Sequence, residues 1–139
     1  MRFEAIPPES LGRVWDFVSP GIAEIKRLCS ESFRPEDVYH HIKRGTAFLY
    51  LIVDKEPIGF CVLEILTDPN DGTRTLNVWL LHLVNKLDGV REEILSFLDE
   101  SGRRANCASV RFASPRKGWM AFLLDNEFKQ KMIIYERVL

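Results

Sequence analysis

Residues Thr73–Leu98 read TRTLNVWLLHL, VNKLDG and VREEILSFL in succession. The first piece is a long apolar strand, the second a short polar hinge, and the third an amphipathic helix with Ile94 and Leu95 on its apolar face. A strand that runs straight into a helix start can build an anion site, because the first backbone N–H groups of the helix have no partner within it. Asp88 stands in position to cap this helix, and Glu92 and Glu93 fall in its first turn. Acids there stabilise a helix through its dipole by roughly 0.3–1 kcal/mol each, and they oppose an anion at the same end.

Outward from this stretch the elements alternate. Arg2–Ile6 reads as a short strand stopped by Pro7-Pro8. Ser10 can cap a helix carrying Leu11, Val14, Trp15 and Val18. Pro20-Gly21 is expected to interrupt it before a second piece with Ile22, Ile25, Leu28 and Cys29. Pro35 opens a further helix with Val38 and Ile42 inward and Gly45 just past its end. Ala47–Val53 and Ile58–Leu66 form an antiparallel hairpin about Asp54–Pro57, and Thr67–Gly72 is a second turn. After the central helix, closed by Ser101-Gly102, Cys107–Ala113 reads as a strand. It is reached by a helical crossover and so lies parallel to the strand before it. A loop Ser114–Gly118, a short helix Trp119–Asn126 and a last strand Phe128–Leu139 complete the chain. The expected class is mixed α/β, with a mostly antiparallel sheet flanked by helices and residues 1–139 forming one domain.

Bulk properties exclude several functions. The 139 residues carry a formal net charge of −1, which argues against a dedicated nucleic-acid binder. No apolar run approaches the ~20 residues of a membrane span. The opening MRFEAIPPE lacks the apolar core of an export signal. Three scattered cysteines, Cys29, Cys61 and Cys107, suggest reduced thiols, so a cytoplasmic protein is expected. No CxxC or HxxxH spacing suggests a metal site, and His40-His41 point about 100° apart on a helix.

The element order, the centre DKEPIGFCVL of the hairpin and the segment FLLDNEFKQKMIIYERVL resemble the GNAT superfamily of acyl-CoA-dependent N-acyltransferases. In that family a short helix closes with Asn-Gly-Phe, here Asn126-Glu127-Phe128. LNVW (Leu76–Trp79) and RKGW (Arg116–Trp119) look more like small GNAT-like proteins of phages and prophages. The family signature, Gln/Arg-x-x-Gly-x-Gly/Ala, falls on Lys86-Leu87-Asp88-Gly89-Val90-Arg91. Gly89 keeps the first glycine, and Arg91 stands where the second is expected.

The resemblance implies acetyl-CoA as cofactor, its pyrophosphate held by Lys86, Leu87, Asp88, Gly89, Val90 and Arg91, and its pantetheine by the backbone of Leu81 and Leu83. Arg91 could grip a phosphate with its fork or fill the phosphate site. The base that deprotonates the amine would be Glu64, the lone carboxylate within an apolar strand, or His82, of a class titrating near ~6.5. Outward-facing or half-buried strand-end positions are the plain readings of these two residues. Tyr39, His41 and Trp79 would line the acceptor pocket. The family's usual acid is a tyrosine four residues before the glycine, a position occupied here by Leu123. The implied partner is an amine acceptor, a small molecule or a protein, with a homodimer or assembly partner possible. The competing expectation is a non-catalytic GNAT-shaped phage or prophage protein with a structural, head-assembly or interaction role, in which Arg91 and the nearby acids satisfy one another.

Overall fold

The computed structural model describes residues 1–139 except 30, 31, 85, 86 and 114–116. Its strands are β1 (Arg2–Ile6), β2 (Phe48–Asp54), β3 (Glu56–Thr67), β4 (Arg74–Leu83) and β5 (Ser109–Phe112). The helices are α1 (Leu11–Cys29), α2 (Pro35–Lys43), α3 (Val90–Arg104) and α4 (Lys117–Asp125). The five strands form one sheet in the order β1-β2-β3-β4-β5, antiparallel except for the parallel pair β4–β5. This is the mixed sheet that the sequence predicts, and the crossover through α3 is what makes its last pair parallel.

Alternation divides the buried side chains between two faces. Leu49, Leu51, Val53, Phe60, Val62 and Leu80 pack under α1 and α2 with Leu11, Val18, Ile22, Val38 and Ile42. Ile52, Ile58, Cys61, Leu63, Leu76 and Val78 pack under α3 with Val90, Ile94, Leu95 and Leu98. Burial pushes the Cys61 thiol up to about 12, so it is inert packing in the native state.

Four expectations are corrected. α1 runs unbroken through Pro20, which removes one backbone donor at a cost of about 3 kcal/mol but leaves Val18, Gly21, Ile22 and Ile25 buried on one face. Burial of that face outweighs the local break. α3 continues through Ser101-Gly102 to Arg104, because Gly102 lies against the sheet, where a Cβ would sit 3.5 Å from Val110. Asp88 does not cap α3: the N-cap is Gly89, in the left-handed region at φ 77°. The strand expected over Phe128–Leu139 is absent, and residues 129–139 carry no secondary structure. β-forming residues make a strand only beside a ladder partner, and β5 is four residues long.

Turn chemistry matches the sequence closely. In the β3–β4 turn the Asn70 and Asp71 backbone N–H groups donate to Asp68 at 2.7 and 3.3 Å, and the Thr73 N–H donates to Asp71 at 2.8 Å. These bonds hold both carboxyls below their ordinary range. A lowered folded-state pKa stabilises fully above the unfolded value and is lost as pH falls through the folded one. Thermal melts should therefore show a stability loss that begins below about pH 4, and Asp68→Asn should flatten it.

Candidate functional site

β4 pairs with β5 only from Thr75–Ser109 to Val78–Phe112, then continues to Leu83 paired with β3 alone. At the same point Val62 pairs with Leu80 and Leu63 with Val78, so Trp79 is an extra residue in β4. Such a bulge bends its strand and raises its twist. Past it, β5 no longer accompanies β4, and a cleft of about 640 Å³ opens between the end of β4, the start of α3 and α4. That volume lies within the range of small-molecule sites.

The β4 wall consists of Leu81, His82 and Leu83. His82 lies opposite Phe60 in the ladder, with the ring centroids 5.7 Å apart. Gly21 brings the α1 backbone onto these rings: a Cβ there would sit 2.5 Å from Phe60 and 2.8 Å from the His82 ring. A Cβ at Gly59 would strike the His82 carbonyl oxygen. Two glycines therefore clear the space in which His82 is held. One helical turn beyond Gly21, Glu24 reaches the cleft and accepts hydrogen bonds from Arg27 at 2.6 and 3.1 Å.

The floor is Leu87–Glu92 at the start of α3. Val90 N–H donates to the Leu87 carbonyl at 3.3 Å and Glu93 N–H to the Gly89 carbonyl as the first helical bond, which leaves the N–H groups of Arg91 and Glu92 ahead of the helix ladder. A Cβ built on Gly89 meets nothing within 4 Å, which leaves the space before the helix end open. Arg91 reaches across to α4. Its guanidinium lies 5.0 Å from the Trp119 ring and 5.7 Å from Phe122, and it donates to the Gly118 carbonyl at 3.3 Å. Its contacts described here are thus with α4 and not with Glu92 or Glu93, contrary to the self-satisfied cluster considered from sequence. Lys86 lies outside the described residues.

No family model matches the sequence, and no curated protein matches it significantly. Solved structures do match its shape. A ribosomal-protein-alanine N-acetyltransferase from Brucella melitensis superposes with TM-score 0.74 at 13% identity, with all of both chains covered. A predicted acetyltransferase from Clostridium acetobutylicum, solved with acetyl-CoA, gives 0.72 at 7% identity over 99% of this chain and 95% of that one. An aminoglycoside acetyltransferase from an uncultured soil sample, in complex with sisomicin, gives 0.74 at 8% identity over 99% and 95%. The fold is that of the GNAT acetyltransferases.

Within this GNAT fold Glu127 has φ 67°, so it adopts the left-handed conformation at the place where the family's sequence carries glycine. Glu127→Gly should raise stability by about 1 kcal/mol, read as a higher Tm, because it removes the Cβ clash of that conformation. The resemblance sets Leu123 against the family's tyrosine, and among the described residues no tyrosine lines the cleft.

The other candidates stand apart from the cleft. Glu64 accepts a hydrogen bond from Asn77 at 2.8 Å, and Asn77 is five residues before His82, roughly 16 Å along the strand. Trp79 packs edge-on to His41 and to Phe33, while Tyr39 packs on Trp15. These rings flank the α1–α2 core, and His41 Nδ1 is 3.0 Å from the Thr46 hydroxyl. Sequence reasoning missed Glu24. Its signal was the spacing from Gly21, which puts it on the helix face nearest the sheet.

Proposed function

We propose that the protein is an acetyl-CoA-dependent N-acetyltransferase acting on an amine of a small molecule or a protein. The observation that carries this reading is the cleft itself. It opens at the bulge of β4, is floored by the start of α3, where the Arg91 and Glu92 N–H groups precede the first helical bond, and holds His82 at its wall. The residues present fit the cofactor. N–H groups at the α3 start and the Arg91 guanidinium would hold its pyrophosphate, and the unpaired backbone of Leu81 and Leu83 would run beside its pantetheine. Asp88 and Glu92 on the same floor oppose the phosphate charge, so Arg91 carries the balance. When bound, acetyl-CoA supplies a thioester carbonyl for attack.

His82 takes the proton from the attacking amine nitrogen. Glu24 across the cleft orients the amine through its carboxylate. With leucine at position 123, the protonated His82 also returns that proton to the departing sulfur. The acceptor classes named for the similar structures, an aminoglycoside and a ribosomal-protein alanine, bracket the acceptors to try first.

A second reading rests on Arg91. Its bridge to Gly118 and its stacking on Trp119 and Phe122 would let the side chain fill the phosphate site. The protein would then be a non-catalytic GNAT-fold component with a structural or interaction role, in keeping with a phage or prophage origin. Calorimetric titration with acetyl-CoA separates the two. Binding in the micromolar range supports the enzyme, and no heat or thermal stabilisation at millimolar ligand overturns it. Arg91→Gly should weaken binding by about 10–100-fold if Arg91 clamps phosphate, and should create or tighten binding if it fills the site.

A further inference from the structure

Among the described residues that line the cleft, Arg91 is the one arginine or lysine, and Asp88 and Glu92 share the floor with it. A carboxylate partner would occupy two of the five guanidinium donors and offset the charge. The partners that Arg91 has are neutral. Its Nη1 donates to the Gly118 carbonyl at 3.3 Å, and its guanidinium carbon lies 5.0 Å from the Trp119 ring centroid and 5.7 Å from that of Phe122. An aromatic face attracts a cation through its quadrupole and takes up neither formal charge nor hydrogen-bond donors. The guanidinium is thus held in place with its full charge and with donors left for an anion at the start of α3.

Trp119 is itself anchored. Its ring stacks on Phe112, the last residue of β5, with the centroids 5.7 Å and the planes 24° apart, and it meets Phe122 edge-on at 5.9 Å. Phe112 in turn meets Phe128 edge-on at 5.6 Å. Two rings therefore tie the guanidinium to the end of the sheet. The rest of α4 is lightly seated: none of its described side chains is buried, and Met120 and Leu124 are more than half exposed. The contact between Trp119 and Arg91 is thus a surface arrangement at the cleft and no by-product of a packed core. An arginine side chain carries about 2 kcal/mol of rotamer entropy, and one already held on the floor has less of it to lose on gripping a ligand.

We propose that Trp119 is a positioning residue for the cofactor site: its ring holds the Arg91 guanidinium over the α3 start, away from Asp88 and Glu92, ready to take a pyrophosphate. This rests on the acetyl-CoA reading given above. Calorimetric titration of the full chain with acetyl-CoA is the test. Trp119→Leu and Trp119→Met, two ringless variants so that a folding defect in one does not decide the matter, should each raise Kd by about 5–20-fold. Trp119→Tyr keeps an aromatic face and should stay within about threefold of the parent. In an Arg91→Gln background the cation is gone, so Trp119→Leu should add no further loss. A purely structural role would instead make the two losses additive and leave tyrosine no better than leucine. Additive losses, a failed tyrosine rescue, or ringless variants that bind as tightly as the parent would each overturn the proposal while leaving the acetyl-CoA reading in place. A parent chain that does not bind acetyl-CoA at millimolar concentration would overturn that reading and this proposal together.

Discussion

His82→Ala should lower kcat/KM for acetyl transfer by about 10²–10⁴-fold, the range expected when a positioned general base is removed. Release of free thiol from acetyl-CoA, with aminoglycosides and alanine-terminated peptides as acceptors, reads the effect. The fall should appear in kcat more than in KM, because in the proposed reaction the imidazole would meet the amine proton in the transition state and contribute little to ground-state binding. Acetyl-CoA affinity should stay within a few fold, since the pyrophosphate would rest on the α3 start and not on β4. A His82→Ala protein that keeps more than a third of the activity would remove His82 from the reaction and leave Glu24 as the next carboxylate to test. Glu64 is a poor substitute: it is held by Asn77 in the part of β3 distant from the cleft.

Phe60→Ala should cost about 3–5 kcal/mol, the usual price of emptying a fully buried aromatic site. Phe60 is 0% exposed and lies between the α1 backbone at Gly21 and the His82 ring. For a chain of this length the loss corresponds to a drop of about 10–15 °C in Tm. A double-mutant cycle checks the cause. Gly21→Ala alone should cost about 1–3 kcal/mol, because its methyl group would press into the Phe60 ring. In the Phe60→Ala background the same methyl enters vacated space and should cost clearly less. Additive losses would mean that Gly21 is needed for some reason other than its closeness to Phe60. Any activity that remains should fall with Phe60→Ala as well, because one wall of the His82 site is gone.

Much of the architecture was legible in local sequence. β1 was read to the residue, and the α2 end at Gly45 and the hairpin were placed because turn residues and proline carry their own backbone preferences, although the turn read over Asp54–Pro57 tightens to Lys55 between the paired Asp54 and Glu56. The misreadings share a cause. Pro20 and Gly102 are local breakers inside α1 and α3, and both helices run through them because packing against the sheet is worth more than the local loss. Asp88 was expected as a cap on propensity, whereas the chain enters α3 through a left-handed Gly89, which no preference of Asp88 reveals.

The stretch Thr73–Leu98 marks the division. Its residues determine by themselves a strand, a glycine-bearing hinge and a helix, since each follows from periodicity and turn chemistry over a few neighbours. Only the tertiary structure decides what that unit becomes. The extra residue at Trp79 bends β4 away from β5, Gly21 lets α1 close over His82 and deliver Glu24, and Arg91 turns to α4 instead of to the acids beside it. Each of these is a contact between residues far apart in the chain. Such contacts form when whole elements pack and leave no mark in any short window of sequence.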